Sequence, residues 1–128
     1  MSGVLVDTSV WVAHFRLANE TLGSLIAADM VMLHPMILLE IACGTPPQPR
    51  LETLANLEAL EQAKQATIEE ARRLVEQKKL YGLGCGLVDI VLLASTLITP
   101  AARLWTLDKN LNALAERFGV AFKPTRQH

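Results

Sequence analysis

Four carboxylates in this chain stand where they could share a site: Asp7, Glu40, Asp89 and Asp108. Asp7 closes the short β-prone run Val4-Leu5-Val6, and Asp108 closes Arg103-Leu104-Trp105-Thr106-Leu107. Glu40 is the one charged residue in Pro35-Met36-Ile37-Leu38-Leu39-Glu40-Ile41-Ala42-Cys43-Gly44, and Asp89 is the one charged residue between Leu87 and Ile98. Each has an ordinary use when taken singly: a turn or cap residue for Asp7, a snorkelling or Arg-paired side chain for Glu40, a helix-start acid for Asp89. Brought into one cleft they repel, at a cost of roughly 4 kcal/mol for a pair about 4 Å apart at an effective dielectric near 20. A hydrated divalent cation relieves that repulsion. An all-oxygen set, with no His or Cys joining it, suits Mg²⁺ or Mn²⁺ and not Zn²⁺. Such a site polarises a phosphodiester oxygen, lowers the pKa of a bound water and steadies the leaving oxyanion. Ser9 and Thr106 are neutral donors two residues from Asp7 and Asp108. Alternation would turn them to the same sheet face as those acids, where they could orient a carboxylate or a water.

The acids meet only if the elements that carry them allow it. Val4-Leu5-Val6 suits a strand buried on both faces, with Thr8 or Ser9 capping a helix that continues through Trp11, Val12 and Phe15. A lone His14 in that helix completes no metal set. A second short helix is expected from Glu20 to Ala28 and a second strand from Met30 to His34, with Pro35 opening the next helix. That helix is apolar all round except for Glu40, which predicts burial; a buried carboxylate then needs a proton, a partner or a metal. Leu51, Leu54, Leu57 and Leu60 stripe an amphipathic helix. Ala66-Thr67-Ile68 reads as a brief edge strand, and Thr67 with Glu70 as the capping box of the basic helix that ends near Leu80. Gly82, Gly84 and Gly86 mark a loop that fits neither a dinucleotide fingerprint nor a P-loop. An apolar helix, Leu87 to Ile98, follows it. The strand ending at Asp108 precedes an amphipathic helix, Lys109 to Phe118, stopped by Gly119, and a last strand, Val120 to Phe122. Alternating strands and helices predict an α/β fold with a mostly parallel central sheet. All its strand carboxyl ends lie on one edge, so Asp7 and Asp108 share that edge and Asp89 and Glu40 can reach it.

The totals narrow the class. The chain has 128 residues, 51% hydrophobic and 20% charged, which fits one folded domain and not a disordered segment. Its net charge of −1 announces no overall basic field for nucleic acid, so a local patch or metal ions would have to stand in for one. Arg72, Arg73, Lys78 and Lys79 make their helix the most basic part, a pattern that also suits a solvated face with local Glu/Lys pairs. Cys43 and Cys85 lack paired spacing and read as reduced residues of a cytoplasmic protein. Met1-Ser2-Gly3 shows no basic secretory n-region, and no apolar run is long enough to span a bilayer. One domain over residues 1–124 and a polar tail at 125–128 are expected.

Asp7-Thr8-Ser9-Val10-Trp11 after a first strand, Glu40 in an apolar helix, Gly84-Cys85-Gly86-Leu87-Val88-Asp89 before Leu92-Leu93-Ala94-Ser95, and Leu104-Trp105-Thr106-Leu107-Asp108-Lys109-Asn110-Leu111 together resemble the PIN-domain ribonucleases. Among these the similarity is greatest to the VapC toxins of type II toxin–antitoxin modules, and it runs from about Val4 to Phe122. The resemblance implies a three-layer α/β/α sandwich and Mg²⁺- or Mn²⁺-dependent endonucleolytic cleavage of RNA, usually tRNA or rRNA. It further implies a homodimer and inhibition by a small VapB-like antitoxin lying in a groove near the acids. It assigns Asp7, Glu40, Asp89 and Asp108 as the catalytic and metal-binding residues. Some members carry a further acid shortly after the last one; here Asn110 and Asn112 stand in that neighbourhood. Two other classes remain at this point. A phosphoaspartyl switch or phosphatase would need paired acids at the first strand end and usually a strand-end Lys, whereas Asp7 is single and Lys109 merely follows Asp108. A non-catalytic scaffold of the same fold would have no need for all four acids.

Overall fold

The structure, a computed structural model, describes residues 3–124; the tail expected at 125–128 lies outside the described residues. The chain runs β1 (Gly3–Val6), α1 (Thr8–Arg16), α2 (Glu20–Ala27), β2 (Val31–Leu33), α3 (Pro35–Cys43), α4 (Arg50–Glu58), β3 (Glu61–Gln62), α5 (Ile68–Lys78), α6 (Leu87–Ile98), β4 (Ala102–Trp105) and α7 (Lys109–Arg117). The four strands form one parallel sheet in the order β3-β2-β1-β4. Parallel strands need crossovers, and crossovers are right-handed. From β1 the chain steps outward to β2 and then β3, so α1 to α4 cover one face. From β3 it returns past β1 to β4, so α5 and α6 cover the other. The helix contacts follow this division: α1 packs on α3 and α3 on α4, while α6 packs on α5, α7 and β4. The expected three-layer sandwich is present.

The core lies between these layers. Leu5, Leu33, Ile37, Leu92, Leu93, Leu104 and Leu111 are all fully buried. The β1 side chains Val4, Leu5 and Val6 are buried without alternation, as a central strand covered on both faces requires.

Two expected strands are corrected. Residues 66–68 are not an edge strand, because the backbone over residues 64–66 bonds to side chains of α6 and of Thr99 just past its end. Ala66 N–H donates to Ser95 Oγ at 3.0 Å, and Lys64 N–H to Thr99 Oγ1 at 3.0 Å. The edge strand is Glu61–Gln62, which carries no apolar residue to betray it. Thr67 does cap α5, with the reciprocal Glu70 bond in place. Val120 to Phe122 contributes only a single parallel bridge, Leu104 to Ala121. The ladder stops because the next donor would be Pro124, which has no N–H.

Candidate active site

The direction of chain crossover changes between β1 and β4, and this is where an open α/β sheet leaves a crevice at its carboxyl edge. Val6 pairs with Trp105, and Asp7 N–H donates to the Trp105 carbonyl at 2.9 Å, one residue beyond the strand. Asp7 occupies the N-cap position of α1 without capping it through its side chain. Its Oδ2 instead accepts from Ser9 Oγ at 2.8 Å and from Thr106 Oγ1 at 2.8 Å. Those hydroxyls also receive the backbone that leads into Asp108: Leu107 N–H donates to Ser9 Oγ and Asp108 N–H to Thr106 Oγ1, both at 3.0 Å. Asp7 is only 7% exposed, so these donors offset most of the cost of keeping its charge away from water. Ser9 reaches Asp7 from the first turn of α1 and not by strand alternation, which corrects the reason given for its position.

The other three acids are held by local bonds of the same kind. Asp108 caps α7, its Oδ1 accepting Leu111 N–H at 2.9 Å. Asp89 is the third residue of α6, and its Oδ2 accepts Gly86 N–H at 3.2 Å. Glu40 Oε1 accepts Thr8 Oγ1–H at 2.6 Å. Each acid thus has one oxygen oriented by a donor from its own surroundings. The second oxygen of each has no hydrogen-bond partner among the described residues.

Glu40 is exposed, against the burial expected from its apolar helix. The α3 helix buries only Ile37 and Ile41 and leaves Leu39 64% exposed, because it packs between α1 and α4 at the surface. Thr8 and Gly86 were not singled out as donors to acids. Thr8 is 32 residues from Glu40, and no local pattern signals that pairing.

Electrostatics tie the acids together. Burial raises the Asp89 carboxyl above the usual aspartate range; the Gly86 N–H opposes this, and the charges of Asp108, Asp7 and Glu40 add to it. The Cys85 thiol is likewise pushed up, by burial first and then by Asp89 and Asp108. Among the described residues no three acidic, His or Cys side chains close on one point as a finished ion cage. The donor set still fits a small hard cation, because Mg²⁺ keeps several waters and takes only one or two carboxylates directly. Four carboxylates, each with one oxygen that accepts no hydrogen bond among the described residues, are such a set.

A mainly apolar groove of about 390 Å³ is lined by Trp11, His14, Phe15, Ile26, Leu57 and Leu60, with none of the four acids in its wall. A second hollow of about 360 Å³ shares Phe15 and Pro47 with it and extends to Glu40. Of the leucine stripe, Leu57 and Leu60 line the groove, while Leu51 is 80% exposed outside it. Both cysteines are free. No helix among the described residues is long and apolar enough to cross a membrane.

Residues 4–117 match the family model described as PIN domain. Two proteins named Ribonuclease VapC32, from Mycobacterium tuberculosis strains CDC 1551 / Oshkosh and ATCC 25618 / H37Rv, are each 42% identical to this chain over 120 residues. The match covers 92% of this chain and 94% of theirs.

Proposed function

We propose, from the premise that this chain belongs to the PIN-domain family, that it is the endoribonuclease toxin of a toxin–antitoxin pair and that its hydrolysis depends on Mg²⁺ or Mn²⁺. The observation that supports the metal-dependent reading is that each of the four acids has one oxygen held by a donor and one left over. Asp7, Asp89 and Asp108 would hold the cation, with Glu40 joining them from α3. A cation bound there supplies charge for the scissile phosphate and makes a coordinated water acidic enough to attack it.

The protein's own part is positioning. Ser9 and Thr106 fix Asp7 Oδ2, which restrains the carboxylate and leaves Oδ1 without a donor among the described residues. The Asp89 and Asp108 carboxylates are aimed by the helix starts they cap. Glu40, exposed and steered by Thr8, stands at the rim where it can accept a proton from an attacking water. The substrate class is RNA, tRNA or rRNA in this reading, which would reach the site at the exposed Glu40 and Asp108.

The partner we assign is a VapB-like antitoxin whose apolar segment occupies the Trp11–Leu60 groove and continues along the second hollow toward Glu40. Occupation of that path would cover Glu40. A homodimer completes the reading, and exposed Ile68, Leu83 and Leu87 offer apolar surface for it.

The test is cleavage of RNA by pure protein in Mg²⁺ or Mn²⁺, with and without excess chelator, beside Asp7→Asn. Cutting is expected only with the cation and only in the wild type. Undiminished cutting in chelator, or by Asp7→Asn, would overturn the mechanism.

A further inference from the structure

The loop between α5 and α6 is pressed against the start of α7 at one point. Gly84 has φ +79°, a left-handed conformation that a side chain strains, and a methyl group there would collide with the Asn110 amide, whose Cγ would be 3.1 Å away. Asn110 Nδ2 reaches the Gly84 carbonyl at 3.4 Å, a long bond, so close packing carries as much of this contact as the hydrogen bond does. The contact joins the segments that carry two of the acids, Asp89 after Gly84 and Asp108 before Asn110. Gly86, two residues after Gly84, donates its N–H to Asp89 Oδ2. Asn110 lies two residues after Asp108, in the first turn of the helix that Asp108 caps. A shift of the loop away from α7 would move Gly86 and loosen Asp89 while leaving Asp108 in place.

We propose that Asn110 is a positioning residue: by clamping Gly84 against α7 it sets the spacing of Asp89 and Asp108, and through that spacing the affinity of the site for a divalent cation. This rests on the metal-dependent reading above. An amide suits the role because it can donate to a carbonyl, whereas a carboxylate of the same shape would repel it. The glycine suits it because no other residue permits both the approach and the positive φ.

Asn110 is exposed, so Asn110→Ala and Asn110→Asp are both expected to fold. Amide hydrogen exchange, measured without metal or RNA, is expected to quicken about tenfold at the Gly86 amide, the one residue of 84–89 whose N–H is bonded among the described residues, in both variants while α2 is unchanged. Mn²⁺ affinity, read by calorimetry, is expected to fall about tenfold. With RNA, kcat falls and KM stays near the wild-type value. Gly84→Ala is expected to loosen the same segment, and adding Asn110→Ala to it to cost nothing further, since both remove one contact. Unchanged exchange and unchanged Mn²⁺ affinity in both Asn110 variants would overturn the clamp. So would tighter Mn²⁺ binding by Asn110→Asp, which would show residue 110 acting as a ligand. If Asp7→Asn proves active, the nuclease mechanism falls, while the exchange experiment still decides the clamp by itself.

Discussion

Helices α3 and α6 look alike in sequence and sit in different worlds. Each carries a single acid in an otherwise uncharged, mostly apolar run. In α6 every residue from Ile90 to Thr96 is buried, whereas α3 buries only Ile37 and Ile41. The difference is one of neighbours. The α6 helix is enclosed by α5, α7 and β4, while α3 has α1 and α4 beside it. The apolar side chains of α6 build the core. Part of α3 is free of that duty, and its end borders the hollow that runs from the groove to Glu40. An apolar helix in a sequence therefore shows which side chains could be buried and not which of them find a neighbour within the chain.

The strongest way to break this comparison is to truncate a leucine in each helix. Leu92 is fully buried, so Leu92→Ala is expected to cost about 3 kcal/mol in a urea unfolding experiment. Leu39→Ala, on a 64% exposed side chain, is expected to stay within about 0.5 kcal/mol. Similar losses at the two positions would mean that α3 is a core helix after all.

The donors to the acids sharpen it. Thr106 is buried and serves the nearly buried Asp7, so Thr106→Val is expected to destabilise by about 2 kcal/mol, a charge having lost a donor in a site poor in water. Thr8 serves Glu40 in the open, and Thr8→Val is expected to cost less than about 0.5 kcal/mol. The same urea series compares them, and a larger loss for Thr8→Val would reverse the assigned environments.

How far these differences were legible beforehand depends on what carries the signal. The bounds of α6 follow from its apolar run and the glycines before it, and the four acids stand out by type and place. The exposure of Glu40 does not follow, because periodicity shows which residues could be buried and not which faces find a neighbour. The edge strand Glu61–Gln62 is invisible because its role comes from backbone pairing to β2 alone. Ser9 and Thr106 were legible as donors near acids. Their meeting on one oxygen of Asp7 was not, because it depends on the parallel pairing that aligns β1 with β4.

The mildest prediction concerns pH. The folded state holds the Asp89 proton more tightly than the unfolded chain does, mainly through burial and the neighbouring acids. Metal-free protein should therefore lose stability as pH rises from the ordinary aspartate value, about 4, toward the raised folded value, and level off above it. Glu70 works the other way: its Thr67 bonds lower its pKa, so its contribution is present above the ordinary value and is lost as pH falls through the folded one. That background is common to wild type and Asp89→Asn, so the difference between their melting curves isolates Asp89. A difference that does not change across this range would mean that burial and the neighbouring acids do not hold the Asp89 proton more tightly in the folded state.

Calorimetric titration of Mn²⁺ into RNA-free wild type and Asp7→Asn, at one pH and ionic strength, reaches the central claim most directly. If the acids at the β1–β4 switch point are a divalent-cation site, the wild type binds and the loss of one charge at Asp7 weakens binding by about tenfold or more. Equal affinity in the two proteins would contradict the account, because the residue at its centre would then hold no cation.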